Sequence, residues 1–229
     1  MLPIKALKKT HSTPYITYGL ILANALVFAW ELSLGSQISA VFLSQAYNPC
    51  SASFSLDALW DLTRTMFFHG GWLHILGNML FLWVFGPAVE DFFGGWRYLL
   101  FYLLVGYMAS LTHGLVSNIC GPIVGASGAI FGVMGAFLLL YPGARIRSLV
   151  LFSRIPIGMT SVQSFYLLLA FFAIDFFNGL ASLGTFTVNT GSVAIWAHIG
   201  GFLAGLLLTF MLLLFNPAPD VDPLEHLEF

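Results

Sequence analysis

Residues 125–132 read GASGAIFG and residues 197–205 read AHIGGFLAG, so a serine and a histidine each sit among small residues. A serine hydroxyl is a weak nucleophile until an adjacent base takes its proton, and histidine is the usual base near neutral pH. Gly125, Ala126 and Gly128 leave the Ser127 hydroxyl open to approach, and a helix beginning here leaves backbone N–H groups unpaired. Upstream, WLHILGNML places His74 and Asn78 at i, i+4, on one helix face. An asparagine amide, a histidine ring and a backbone N–H are donors able to stabilise a tetrahedral oxyanion. These types fit acyl transfer, with Ser127 as nucleophile, His198 as base, and Asn78, His74 and the Ser127 N–H as oxyanion donors.

The elements that must position them are dictated by composition. The chain has 229 residues, 59% hydrophobic and 8% charged, with a mean hydropathy of +0.89. That is too apolar for a soluble domain and reads as an integral membrane protein. Eight basic residues spread along a chain of net charge -2 make no nucleic-acid surface. Six segments are long enough to span: Tyr15 to Leu34, Trp72 to Val89, Tyr98 to Ser117, Ile123 to Pro142, Val162 to Leu183 and Val193 to Phe215. Long non-alternating runs exclude a barrel, so the fold class is all-α and polytopic. Lys5, Lys8, Lys9, Arg97, Arg145, Arg147 and Arg154 then fall on one side and only Arg64 on the other, which predicts cytoplasmic termini.

Three parts result: a cytoplasmic segment 1–14, a six-helix domain 15–215 and a cytoplasmic tail 216–229. The first run is too long for a signal peptide and lacks a small-residue cleavage site. The long connection from Gly35 to Gly71 lies outside, and its Phe54, Trp60, Phe67 and Phe68 predict that it dips into the interface or packs on the bundle. Cys50 and Cys120 both fall in outer connections, either paired by an oxidising exterior or simply two small unpaired residues.

Polar groups inside spans are costly and need a reason. They are His74, Asn78, His113, Ser127, Asp175 and His198. Counting helical rise from the outer ends puts His74, Asn78, Ser127 and His198 in one layer, none deeper than about 9 Å. Gly128 with Gly132 and Gly201 with Gly205 are small-xxx-small pairs that let backbones approach, and His198 shares a face with Gly201 and Gly205. If the fourth and sixth helices are neighbours, Ser127 and His198 can meet within hydrogen-bond reach. Taken singly, the serine would be a packing residue and the asparagine interhelical glue; together in one layer they favour catalysis. Asp175 lies about 12 Å down, and a carboxyl there escapes its charging cost by staying protonated. It is expected to be a neutral packing group for the fifth helix, with an orienting acid as the alternative.

The chain resembles the rhomboid family of intramembrane serine proteases, in its bacterial six-helix form with a long outer loop between helices one and two. FFHGGWLHILGNML is similar to that family's H-x-x-x-x-H-x-x-x-N signature through His69, His74 and Asn78; GASGAIFG to its G-x-S-G; AHIGGFLAG to its A-H-x-x-G-x-x-x-G, ending at Gly205. The resemblance implies a Ser127–His198 dyad with no obligatory acid, and an oxyanion hole of Asn78, His74 and the Ser127 N–H. It implies a tight turn permitted by Gly125 and Gly128, and a helix approach permitted by Gly201. It further implies transmembrane protein substrates cut near the outer face, a bacterial inner-membrane location, and no metal, cofactor or nucleic acid. Two departures stand out. Asp61 follows Trp60 where many members have arginine, leaving Arg64 as the nearby cation; and Phe131, four residues after Ser127, replaces a tyrosine found in some members but keeps a ring that could stack on His198. The rival readings are a catalytically inactive relative that escorts membrane proteins, which would lack the serine or the histidine, and a polytopic transporter, which would show matching halves.

Overall fold

The computed structural model describes residues 1–51, 55–117, 120–152, 155–183 and 194–215; Phe54, Arg154 and the expected tail 216–229 lie outside them. Helices follow the apolar runs, because a segment in hydrocarbon must pair its own backbone groups. They are α1 (Tyr15–Leu34), α2 (Ile38–Gln45), α3 (Leu56–Thr65), α4 (Trp72–Phe93), α5 (Gly95–Val116), α6 (Ser127–Leu140), α7 (Ser164–Ser182) and α8 (Ile195–Phe215). Punctuation is by proline and glycine. Pro14 precedes α1, and Gly94, at φ +76°, ends α4 and opens α5 so that one residue turns the chain. At the same end of α4, the carboxylate of Glu90 accepts the Ile16 and Thr17 N–H groups and the Thr17 hydroxyl at 2.7–2.8 Å. An acid thus caps the first turn of α1, where a helix leaves N–H groups unpaired and favours negative charge.

Among the described residues, five helical stretches are long and apolar enough to cross a membrane, and α6 is a shorter apolar helix. The expected fourth span, Ile123 to Pro142, therefore needs correction. Only 14 of its residues are helical, about 21 Å of rise, and the helix starts at Ser127 itself. Two of the four residues before it are claimed by other partners: the Ile123 N–H bonds the Tyr47 carbonyl at 2.9 Å and the Gly125 N–H the Thr65 carbonyl at 2.8 Å. Gly125, at φ +127°, takes a backbone conformation that side-chain-bearing residues rarely adopt. Non-helical chain of this kind survives beside lipid only where protein satisfies it.

The partners come from the α1–α4 connection, which is built rather than loose. It packs on the bundle through Tyr47, Leu62, Met66 and Phe68, all buried, while Trp60 is exposed. Cys50 is joined to Cys120 in a disulfide across 70 residues of sequence, so of the two readings the paired one holds. Residues 143–161 read in sequence as a connection, and the amino terminus as a plain segment. In the structure β1 (Leu2–Ala6), β2 (Arg145–Phe152) and β3 (Ile155–Gln163) form an antiparallel sheet in that order. The chain is thus mostly helical with one small sheet. α6 lies at its centre, with nearly every side chain buried against α4, α5, α7 and α8.

Cross-linking over a loop this long restricts the unfolded chain, with a typical gain of about 2–4 kcal/mol. Reduction, or Cys50→Ala with Cys120→Ala, should lower the thermal midpoint in detergent, and thiol counting after non-reducing denaturation should find no free thiol in the oxidised protein. Unchanged melting on reduction would show that the bridge adds nothing to the fold.

Candidate active site

Ser127 is the first residue of α6 and half-buried. α8 brings His198 beside it because glycines face glycines: a Cβ added to Gly201 would strike the Gly128 carbonyl, and one added to Gly205 the Gly132 carbonyl. The two helices touch backbone to backbone, as the paired small residues predict. His198, in the first turn of α8, is buried, and its ring stacks on Phe131 with centroids 4.1 Å apart and planes 8° from parallel. The stacking expected of Phe131 is therefore present.

Asp175 makes the contact between α7 and α8. Its Oδ2 lies 2.7 Å from Nδ1 of His198. The carboxyl joins the two helices by a hydrogen bond, as expected of it, and its partner is the candidate base itself. The helices run antiparallel, with Phe172 on Phe202 and Gly179 against Trp196, which brings the middle of α7 level with the first turn of α8. An ionised carboxyl accepting at Nδ1 would place the ring proton there and leave the lone pair on Nε2. That Nε2 is buried and has no hydrogen-bond partner among the described residues. The Ser127–His198 hydrogen bond is thus not made in this state, although the helices are neighbours; such bonds are often looser before substrate binds.

The oxyanion candidates gather on α4. Asn78 Nδ2–H donates to His69 Nε2 at 3.0 Å, and His69 Nδ1–H donates to the Phe67 carbonyl at 3.1 Å. The His69 N–H in turn donates to the Glu31 carboxylate at 3.0 and 3.3 Å. His74 sits edge-on to His69, centroids 5.0 Å apart, and a Cβ on Gly125 would come within 2.7 Å of its Nε2. Only glycine lets the chain before Ser127 lie this close to the ring. The Gly70 N–H approaches His74 Nδ1 at 3.4 Å, which leaves Nε2 as the protonated nitrogen facing the Gly125–Ser127 turn.

Glu31 escapes the sequence reading although it lies in the first predicted span, where any carboxylate is a signal. It is buried, and it ties α1 to the residue that holds Asn78. His113 on α5 is buried with Nδ1 unpartnered among the described residues. Arg64 pairs with Asp61 on its own helix at 3.5 Å. No group of three metal-binding side chains occurs among the described residues.

Residues 56–215 match the Rhomboid domain family. The chain is 30% identical, over 86% of its length and 88% of the relative, to YdcA of Bacillus subtilis (strain 168), named as a candidate rhomboid protease. It is 33% identical to RHOMBOID-like protein 1 of Arabidopsis thaliana over 68% of this chain, and 35% identical to Rhomboid protease GluP of Bacillus subtilis over 55%. The matched regions cover only 35% and 24% of those two longer proteins.

His69 lies outside the spanning helices, and burial, with the neighbouring His74 ring, holds its imidazole down at about 4. A proton on Nε2 would remove the acceptor that fixes Asn78. The unfolded chain takes up that proton near 6.5 and the folded one only near 4. Stability present at neutral pH should therefore fall as pH drops through that window. Melting in detergent at stepped pH should show it, and His69→Gln, which cannot titrate, should flatten the slope; equal slopes would overturn the assignment.

Proposed function

The chain belongs to the rhomboid family and is an integral multi-pass membrane protein, and from that premise we propose that it is a serine endopeptidase acting on transmembrane protein segments. The observation that carries this reading is His198, pinned by Asp175 and Phe131 with Nε2 unpaired, on a helix sealed by glycine against the helix that begins at Ser127. Ser127 Oγ attacks the peptide carbonyl carbon as its proton passes to His198 Nε2. Charge arising on the carbonyl oxygen is met by Asn78 Nδ2–H, His74 Nε2–H and the Ser127 N–H. The intermediate collapses as His198 returns the proton to the leaving amine, and water then hydrolyses the acyl-enzyme by the same route. No cofactor enters these steps.

Asp175 has the part of an orienting acid here, because it fixes the Nδ1–H tautomer that leaves Nε2 basic. The dyad implied by the family resemblance is thereby extended by a third group. In this reading the protease domain is 15–215 with six spans, α6 being the short central one. Segment 1–14 and tail 216–229 are cytoplasmic in a bacterial inner membrane, and cleavage occurs near the outer face.

Full-length protein in vesicles should cleave a model transmembrane substrate and react with a fluorophosphonate, and Ser127→Ala and His198→Ala should each abolish cleavage while the fold survives. The double variant should be no worse than either single one, as expected of groups acting as a unit. Retained cleavage in Ser127→Ala, or no labelling of the wild type, would overturn the proposal and leave an escort role.

Asn78→Ala should cost on the order of 100- to 1,000-fold in kcat with KM little changed. A pure KM effect would make it a binding residue. Asp175→Asn should lower kcat by on the order of 100-fold with KM little changed, since the amide no longer fixes the Nδ1–H tautomer. Activity within a few-fold of wild type would return Asp175 to a packing role.

A further inference from the structure

The sheet has two unlike faces and an unlike tip. On one face Ile146 and Ser148 are fully buried. On the other, Lys5 of β1 stands directly opposite Arg147 of β2, and Arg145 lies two residues along the same strand; all three are exposed. Like charges directly across a strand pair are destabilising unless something outside neutralises them. β1, β2 and β3 contain no acid, and no ion pair reaches these three cations among the described residues.

Toward the hairpin end the exposed side chains turn apolar: Phe152 (70% exposed), Ile155 (64%), Ile157 (63%) and Met159 (58%). In water such a tip on an edge strand would be an aggregation site. Position resolves both oddities. β3 ends at Gln163 and α7, a spanning helix, starts at the next residue. The Ser164 N–H bonds the Ala144 carbonyl at 2.7 Å, so the strand base is fastened to the membrane end of the bundle. Arg145 pairs with Gln163 at that base, and Arg147 lies about 7 Å further along the strand. The cations are therefore held at headgroup depth by covalent continuity.

We propose that this sheet is a lipid-binding element: Lys5, Arg145 and Arg147 bind anionic phospholipid headgroups of the leaflet at the base of α7, and Phe152, Ile155 and Ile157 enter the acyl boundary of that leaflet. Anionic lipid supplies the missing counter-charge, and the acyl boundary supplies the apolar cover, as for other interfacial elements. The inference is independent of the proteolytic reading.

The full chain carrying Phe152→Cys offers one reactive thiol, because Cys50 and Cys120 are bonded to each other. Labelled there with an environment-sensitive fluorophore, it would be reconstituted in phosphatidylcholine vesicles, and in vesicles also containing phosphatidylglycerol. Quenching by a nitroxide attached near the headgroup end of the acyl chain should be strong, and roughly twofold greater in the anionic vesicles at low salt. Lys5→Gln, Arg145→Gln and Arg147→Gln combined should remove the increment due to anionic lipid. Quenching by aqueous iodide without lipid quenching would overturn the proposal. Energy transfer between labelled copies without lipid quenching would overturn it in favour of a second copy on the tip. Equal quenching in both vesicles, unaffected by the triple variant, would overturn the headgroup assignment.

Discussion

Gly128 against Gly201, and Gly132 against Gly205, bring α6 and α8 together with no side chain between them, and the site hangs on that contact. Lipid tails are as apolar as leucine, so burial from water does not drive these helices together; close backbone packing does. A Cβ on Gly128 would also meet the Ala109 side chain of α5 at 2.6 Å, so the seam fixes three helices at once. Widening it by even a methyl group would lift the His198 ring off Phe131 and away from the start of α6. Misplacement by about 1 Å costs a reaction on the order of 100-fold, so the small residues are positioning devices as well as packing ones.

Around this apolar seam three junctions are tied by an acid. Glu90 of α4 receives the first turn of α1, Glu31 of α1 receives the residue that holds Asn78, and Asp175 of α7 receives His198. An unpaired carboxylate in such surroundings would be costly, so each of these pairs specifies which helix neighbours which. Polar residues thereby supply the directional information that uniformly apolar helices lack. The same rule explains why α6 is short: the chain ahead of Ser127 finds carbonyl partners at Tyr47 and Thr65 and so need not be helical.

Much of this was legible. Apolar run length marks α1 to the residue and the others to within a few residues, because the hydrocarbon thickness imposes it. Glycine spacing anticipates the α6–α8 contact, and the i, i+4 spacing of His74 and Asn78 puts both beside His69, with His74 also against the Gly125 turn. What was hidden depends on tertiary partners. The non-helical stretch 123–126 looks as apolar as the helix that follows it, and only the hydrogen bonds to the α1–α4 connection distinguish the two. The sheet draws its strands from segments more than 130 residues apart, with Lys5 paired to Arg147, so neither segment declares it. Helical rise puts Asp175 and His198 within a few ångströms of one depth, but which faces of the two helices meet is set only by tertiary packing.

That last pair joins geometry to motion. α7 is the most lipid-exposed of the helices around the site: Tyr166, Ile174 and Phe177 face outward, and it is held to α8 by the Phe172–Phe202 stack, by Gly179 against Trp196 and Ile199, and by the Asp175–His198 bond. Few buried contacts make a weakly held element. Any displacement of α7 from α8 separates Oδ2 from Nδ1, and the histidine then loses the group that selects its tautomer. The position of α7 and the hydrogen bond at Nδ1 are therefore coupled. If the site works as proposed, a substrate segment that parts α7 from α8 also breaks that bond, and the bond re-forms only when the helix closes behind it.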